Sequence, residues 1–214
     1  MSKNSKPSLS VVRRLPRYYR FLGELEAGGI QRISSREFAA MIGVTASQVR
    51  QDLNCFGGFG QQGYGYNVAV LREEIGKILR VDRQRHAVLI GCGNMGLALA
   101  IHMRFEDRGF KLCAIFDNDP AKVGIKAGEW AVRNASSLEA YCKENQPEVA
   151  ILCIPKEAAT SLCENLVKWG IRGFWNFSHY DMSVRFKDIA VENVHLGDSL
   201  MTLSYRVADF EEDK

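Results

Sequence analysis

The sequence predicts an α/β protein in two unlike parts: a small basic helical domain, then a larger acidic domain built on a doubly wound parallel sheet and ending in an extra helix. Three observations predict it. Charge is split along the chain, with 14 Lys and Arg against 7 Asp and Glu in residues 1–85, net +7, and 14 against 18 in residues 86–214, net −4. A glycine motif, Gly91-x-Gly93-x-x-Gly96, sits between an apolar run and a helical pattern. Short apolar runs then alternate with helix-length segments to the end of the chain. With 214 residues, 46% of them hydrophobic, each part has material for a core. No apolar run approaches the roughly 18 residues of a membrane span, and the polar start lacks the apolar stretch of a secretory signal, so a cytoplasmic location is expected. The six cysteines form no CxxC pair, which argues for reduced, mostly buried thiols over a disulfide framework or zinc ribbon.

Residues 1–82 read as the first domain. Apolar residues at helical spacing predict one helix from Ser10 to Ala27, closed by Gly28-Gly29. Ser34-x-x-Glu37 is a capping box opening a short helix through Met41, Gly43-Val44 makes a turn, and Thr45-x-x-Gln48 opens another helix to about Cys55. Two short helices across a glycine turn are a helix-turn-helix, whose second member would present Thr45, Ser47, Gln48, Arg50 and Gln51 to a major groove. Five glycines with interleaved aromatics between Gly57 and Tyr66 read as a two-stranded hairpin, a wing, ahead of an amphipathic helix from Val68 to Leu79. A helix-turn-helix pattern by itself fits any small helical bundle. Together with the wing and the basic charge it points to nucleic acid.

Residues 83–197 read as the second domain. The strand His86–Ile90 runs into the loop Gly91, Cys92, Gly93, Asn94, Met95, Gly96 and a helix through Met103. Gly91 permits the tight turn, Gly93 the close approach of a diphosphate to the backbone, and Gly96 the packing of helix on strand, with the diphosphate at the helix N-terminus. The strand Leu112–Phe116 ends in Asp117, 21 residues after Gly96, where a carboxylate binds ribose hydroxyls and repels a 2′-phosphate, favouring NAD over NADP. Further strands are expected at Val149–Ile154, Ile171–Phe177 and Val191–Leu196, with helices at Leu138–Glu144 and Lys156–Trp169. Ligands of such Rossmann-type sheets lie beyond the carboxyl ends of the strands, so Ile154-Pro155 and Asn176-Phe177 are either the nicotinamide side or ordinary strand ends. No HExxH or Ser-His-Asp order is present, the histidines (His86, His102, His179, His195) are scattered, and the sheet leaves little room for a substrate domain. A cofactor site without catalytic apparatus beside a nucleic-acid reader suits a sensor; a hydride-transferring oxidoreductase is the alternative. Residues 198–214 form a last segment, a helix from Asp198 to Phe210 whose face of Leu200, Leu203, Val207 and Phe210 needs either its own sheet or a second subunit.

Eight ordered segments carry a resemblance: RLPRYYRFLGELEAGG (14–29), TASQVRQDLNCFG (45–57), GFGQQGYGYNV (58–68), GCGNMG (91–96), FDNDPAKVG (116–124), IPKEAA (154–159), GIRGFWNF (170–177) and VENVHL with LSY (191–205). Over nearly its whole length the chain resembles the Rex family of redox-sensing transcriptional repressors. The resemblance implies a homodimer on operator DNA, with N-terminal winged-helix domains, Rossmann domains that bind NAD(H), and a C-terminal domain-swapped helix. It implies no catalytic residues and no metal, release of DNA by NADH, and a DNA-competent state with NAD⁺. Asp119 and Lys122 would join Asp117 at the cofactor. Arg13, Arg14, Arg17, Arg32, Arg36 and Arg50, with Ser34, Gln62, Tyr64 and Tyr66, would face DNA. Arg20 would contribute to an inter-subunit switch with positions 102 and 195, where the family usually has Tyr and Asp and this chain has His102 and His195; Asp198 is a possible substitute for the lost carboxylate. His179 replaces a usual Pro. These histidines read as plain structural substitutions, as pH-sensitive switch elements or as a metal site. Gln51 and the Gln61-Gln62 pair stand where basic residues are common, which would weaken phosphate contacts or shift the sequence preference.

Overall fold

The computed structural model describes residues 7–59 and 64–212, the side chains of 209–212 excepted. The chain divides into two compact units, residues 1–82 and 83–214. The first opens with helices α1 (Leu9–Val12) and α2 (Leu15–Ala27), where the sequence predicts one continuous helix. Pro16 explains the break. It has no N–H to offer the carbonyl of Val12, and its ring crowds that turn. Strand β1 (Arg32–Ile33), helix α3 (Ser35–Ile42) and helix α4 (Ala46–Asn54) follow. Both helix starts are capped as expected: the Glu37 N–H donates to Ser34 Oγ (3.1 Å), the Ser34 N–H to Glu37 Oε2 (2.9 Å), and the Gln48 N–H to Thr45 Oγ1 (3.1 Å). Gly43, at φ +65°, makes the turn between α3 and α4. Strand β2 (Tyr66–Asn67) leads into α5 (Val68–Leu79), whose Leu71 and Ile75 bury with Leu15, Tyr18 and Leu22 of α2.

The wing requires a correction. Among the described residues, β2 pairs antiparallel with β1, Ile33 opposite Tyr66, and not with a second strand of the glycine-rich segment. A two-residue strand at the base of a loop carries no periodicity for sequence to reveal. Gln61 and Gln62 lie outside the described residues.

The second unit is a seven-stranded sheet built from β3 (Arg85–Ile90), β4 (Phe110–Asp117), β5 (Lys126–Ala127), β6 (Trp130–Asn134), β7 (Val149–Leu152), β8 (Gly173–Asn176) and β9 (Ala190–Asn193), in the order β5-β6-β4-β3-β7-β8-β9. Neighbours are parallel, except that β5 runs antiparallel to β6. Alternation along β3 shows how the two faces are filled. Ala87 and Leu89 pack with Ala100 of α6 (Asn94–His102), while Val88 and Ile90 pack with α7 (Leu138–Asn145) and α8 (Lys156–Lys168). The β5–β6 hairpin was not anticipated, since its two-residue strand and polar turn lack an apolar run; Gly128, at φ +64°, is its one local signal. Strands β7, β8 and β9 also stop before Ile154, Phe177 and Leu196. The strand order reverses at β3: the chain first builds β4, β6 and β5 on one side of it and then crosses to β7, β8 and β9 on the other, so a crevice is expected at the carboxyl ends of β3 and β7.

The final helix, α9 (Leu196–Glu212), begins two residues before the predicted start. Its Leu200, Met201, Leu203, Tyr205 and Val207 are exposed. Among the described residues, no helix is long and apolar enough to cross a membrane.

Candidate functional site

The three motif glycines have different tasks. Gly91 sits at φ +96°, and a methyl group there would lie 2.4 Å from the Cys153 carbonyl oxygen. A methyl at Gly96 would lie 1.9 Å from the Gly91 carbonyl oxygen, so α6 reaches this close to β3 only without a side chain. Gly93 meets nothing within 4 Å. That open space adjoins the start of α6, where no side chain caps the first N–H groups of Asn94, Met95 and Gly96. An uncapped, positively polarised helix end beside a cleared approach fits a diphosphate.

Asp117 closes β4 against this loop. Its Oδ2 accepts from the Cys92 N–H (2.6 Å) and from Lys122 Nζ (3.3 Å), and its Oδ1 from the Asp119 N–H (2.8 Å). Burial pushes this carboxyl up, but the Asp119, Cys92 and Lys122 bonds outweigh it and hold the group below the usual carboxylate range. The structure thus brings Asp117, Asp119 and Lys122 together and adds a task sequence did not foresee, clamping the glycine loop. A carboxylate accepts about four hydrogen bonds, so three inside the fold leave capacity for one ribose hydroxyl.

Beyond the strand ends lies a pocket of about 210 Å³ lined by Met95, Cys153, Ile154, Phe177, His179, Val194, Leu196 and Gly197. Ile154 and Phe177 were expected there, and Met95 only as part of the glycine loop; the contributions from after β9 and the start of α9 were not expected. Two expected residues serve elsewhere. Pro155 occupies the position just before α8 in extended backbone, without a side-chain cap. Asn176 is 0% exposed and donates to the Tyr180 carbonyl (2.7 Å) and Asn193 Oδ1 (2.8 Å), while accepting from Ser178 N and Oγ. It ties the turn after β8 to the end of β9, an internal job that uses its whole amide.

Among the histidines, His195 pairs with His179, Nδ1 to Nδ1 at 3.1 Å with rings stacked 5.0 Å apart, and His102 ends α6 exposed. His179 holds φ +58°. Among the described residues no group of three or more His, Cys, Asp or Glu is arranged to hold a metal ion.

The helix-turn-helix surface is smaller than its sequence suggests. Asp52 of α4, 1% exposed, accepts Arg14 Nε and Nη2 (both 2.6 Å), the Tyr18 hydroxyl (2.7 Å) and Gln48 Nε2 (2.8 Å). Arg14 and Gln48 are thereby engaged inside the unit. Tyr66 is 8% exposed and belongs to the core, and Ser34 is spent on its cap. Arg13, Arg17, Arg20, Arg36, Ser47, Gln51 and Tyr64 are exposed. Arg32 donates to the Tyr64 carbonyl (3.2 Å), and Arg50 to Ser35 Oγ (3.0 Å). Asn54 is also exposed on α4 and was not among the expected residues.

Burial raises the thiols of Cys142 and Cys163 to about 11 and, with Cys92 adding to it, that of Cys153 to about 12; Cys55 is exposed. Thiolate is the reactive form, so maleimide at pH 7.5 is expected to label Cys55 at least about tenfold faster than these three, as read by peptide mass spectrometry.

A basic helix-turn-helix unit joined to a parallel sheet with a diphosphate-ready loop defines a nucleotide-sensing DNA-binding protein. The family model "Putative DNA-binding protein N-terminus" matches residues 7–54, and the model for a CoA binding domain matches residues 82–180. The redox-sensing transcriptional repressor Rex of Clostridioides difficile (strain 630) is 52% identical over 96% of this chain and 97% of its own. The crystal structure of RSP in complex with beta-NAD+ and operator DNA superposes with a TM-score of 0.88 at 47% identity, covering 97% of this chain and 95% of that one. RSP in complex with beta-NADH gives 0.88 at 44% identity, covering 98% and 100%. The chain belongs to the Rex family of redox-sensing transcriptional repressors.

Proposed function

We propose that this chain is a transcriptional repressor that binds operator DNA as a homodimer, responds to NADH and NAD⁺, and leaves the operator when NADH is bound. The observation that carries this reading is the match, over nearly the full chain, to one repressor structure that holds NAD⁺ with operator DNA and another that holds NADH. The division of labour follows the domains: 1–82 for DNA, 83–197 for NAD(H), and 198–214 as a swapped helix that seats its exposed apolar face on the second subunit, in the cytoplasm. Loop N–H groups from Cys92 to Gly96 and the start of α6 bind the diphosphate, Asp117 takes a ribose hydroxyl, and Met95, Ile154 and Phe177 border the nicotinamide. NAD(H) acts here as a ligand: its two forms differ by one charge and by ring planarity. A ligand moves an equilibrium only through unequal affinity for its two states, so the DNA-released arrangement must favour the neutral reduced ring. Exposed Arg20, His102 and Asp198, and the His179–His195 pair, are candidates for transmitting that preference between subunits. The test is a gel-shift series with operator DNA: NADH is expected to release the complex and NAD⁺ to leave it, and retention at saturating NADH overturns the switch.

A further inference from the structure

We propose that Gln51 and Asn54 of α4 read adenines in the major groove, and so set the operator preference of this chain. The inference rests on the operator reading above and deepens it. The structure narrows the possible readers of adenine, for which an arginine such as Arg50 is in any case unsuited. Gln48 is held by Asp52, and the Arg50 guanidinium leans to Ser35 at the start of α3. Ser47, Gln51 and Asn54 stay exposed, and among the described residues no neighbour holds their side chains by a hydrogen bond. At 3.6 residues per turn, positions 47, 51 and 54 form one stripe on the face opposite buried Val49 and Leu53.

The chemistry of the two amides selects the base. A carboxamide offers one donor and one acceptor side by side, which match N7 and N6–H₂ of adenine; guanine presents two acceptors there and instead suits Arg or Lys. Residues i and i+3 differ by about 4.5 Å along a helix axis, near the roughly 3.4 Å step between base pairs, so both amides reach neighbouring positions of one half-site. Ser47, whose hydroxyl pairs with any base, adds little discrimination.

The experiment uses the full chain and operators carrying each base at every position. For Gln51→Arg, the favoured base at one position per half-site is expected to change from adenine to guanine. For Asn54→Ala, the adenine preference at a neighbouring position is expected to fall roughly 5- to 150-fold. Melting temperature controls for folding, since both side chains lie outside the core. For Asn54→Ala the salt dependence should also be unchanged, because no phosphate contact is removed. An equal loss on all sequences, or an unchanged base preference, overturns the inference while leaving the operator reading intact. A wild-type chain that selects no DNA sequence overturns the operator reading and this inference with it.

Discussion

Replacing Asp52 with alanine is expected to destabilise the N-terminal unit by about 3 kcal/mol and to weaken operator binding by loosening the helix that carries it. One carboxylate accepts four hydrogen bonds from three side chains, and its removal strands the Tyr18 hydroxyl in the core and the Arg14 guanidinium beside it. Breaking one side of a buried ion pair costs about 3–5 kcal/mol, and the lower end applies because the Arg14 side chain is 32% exposed and partly rehydrates. Urea unfolding followed by circular dichroism measures it; a change below about 1 kcal/mol would show the cluster to be ornamental. The same group sets an acid limit. Burial raises the Asp52 carboxyl, but bonds from Arg14, Tyr18 and Gln48 prevail and hold it below the ordinary value of about 3.9. A depressed folded value contributes stability that is complete above the unfolded value and lost as pH falls through the folded one. The N-terminal unit should therefore weaken below about pH 4 in the wild type, and the Asp52→Ala variant should lack that component.

The second large effect separates two glycines of one loop. Gly96→Ala must push α6 off β3, because the new methyl would meet the Gly91 carbonyl at 1.9 Å, and a cost of about 1–3 kcal/mol in stability is expected together with loss of NADH binding. Gly93→Ala is different. The residue has φ −75° and ψ −171°, ordinary extended backbone, and a methyl there touches nothing within 4 Å. Stability should stay within about 0.5 kcal/mol of the wild type. NADH affinity should nevertheless fall on the order of 100-fold, because the methyl fills the space a diphosphate needs and displaces charge-assisted bonds of roughly 1.5–3 kcal/mol each. Calorimetric titration with NADH, paired with melting curves in its absence, reads both quantities. Wild-type affinity in Gly93→Ala would place the diphosphate elsewhere.

What was legible in the sequence was carried by neighbours in the chain. The capping box at Ser34 and Glu37, the left-handed turn at Gly43 and the spacing of Gly91, Gly93 and Gly96 act within a few residues, so composition and spacing determined the helix-turn-helix, the nucleotide loop and the parallel sheet. Even the break at Pro16 was a local signal, masked by a strong apolar stripe. The chemistry of individual side chains was another matter. Arg14 looks like a phosphate contact until Asp52, 38 residues away, claims it, and Tyr66 looks like a wing residue until strand pairing with Ile33 carries it into the core. Asn176 likewise spends its amide on Tyr180 and Asn193, and His195 finds His179 across 16 residues. By itself, then, sequence determined the two domains and the ligand class of each, because turns, caps and periodicity are short-range. Only the tertiary structure decided which polar groups stay available to a ligand, because a buried charge must recruit its partners from wherever the folded chain brings them near.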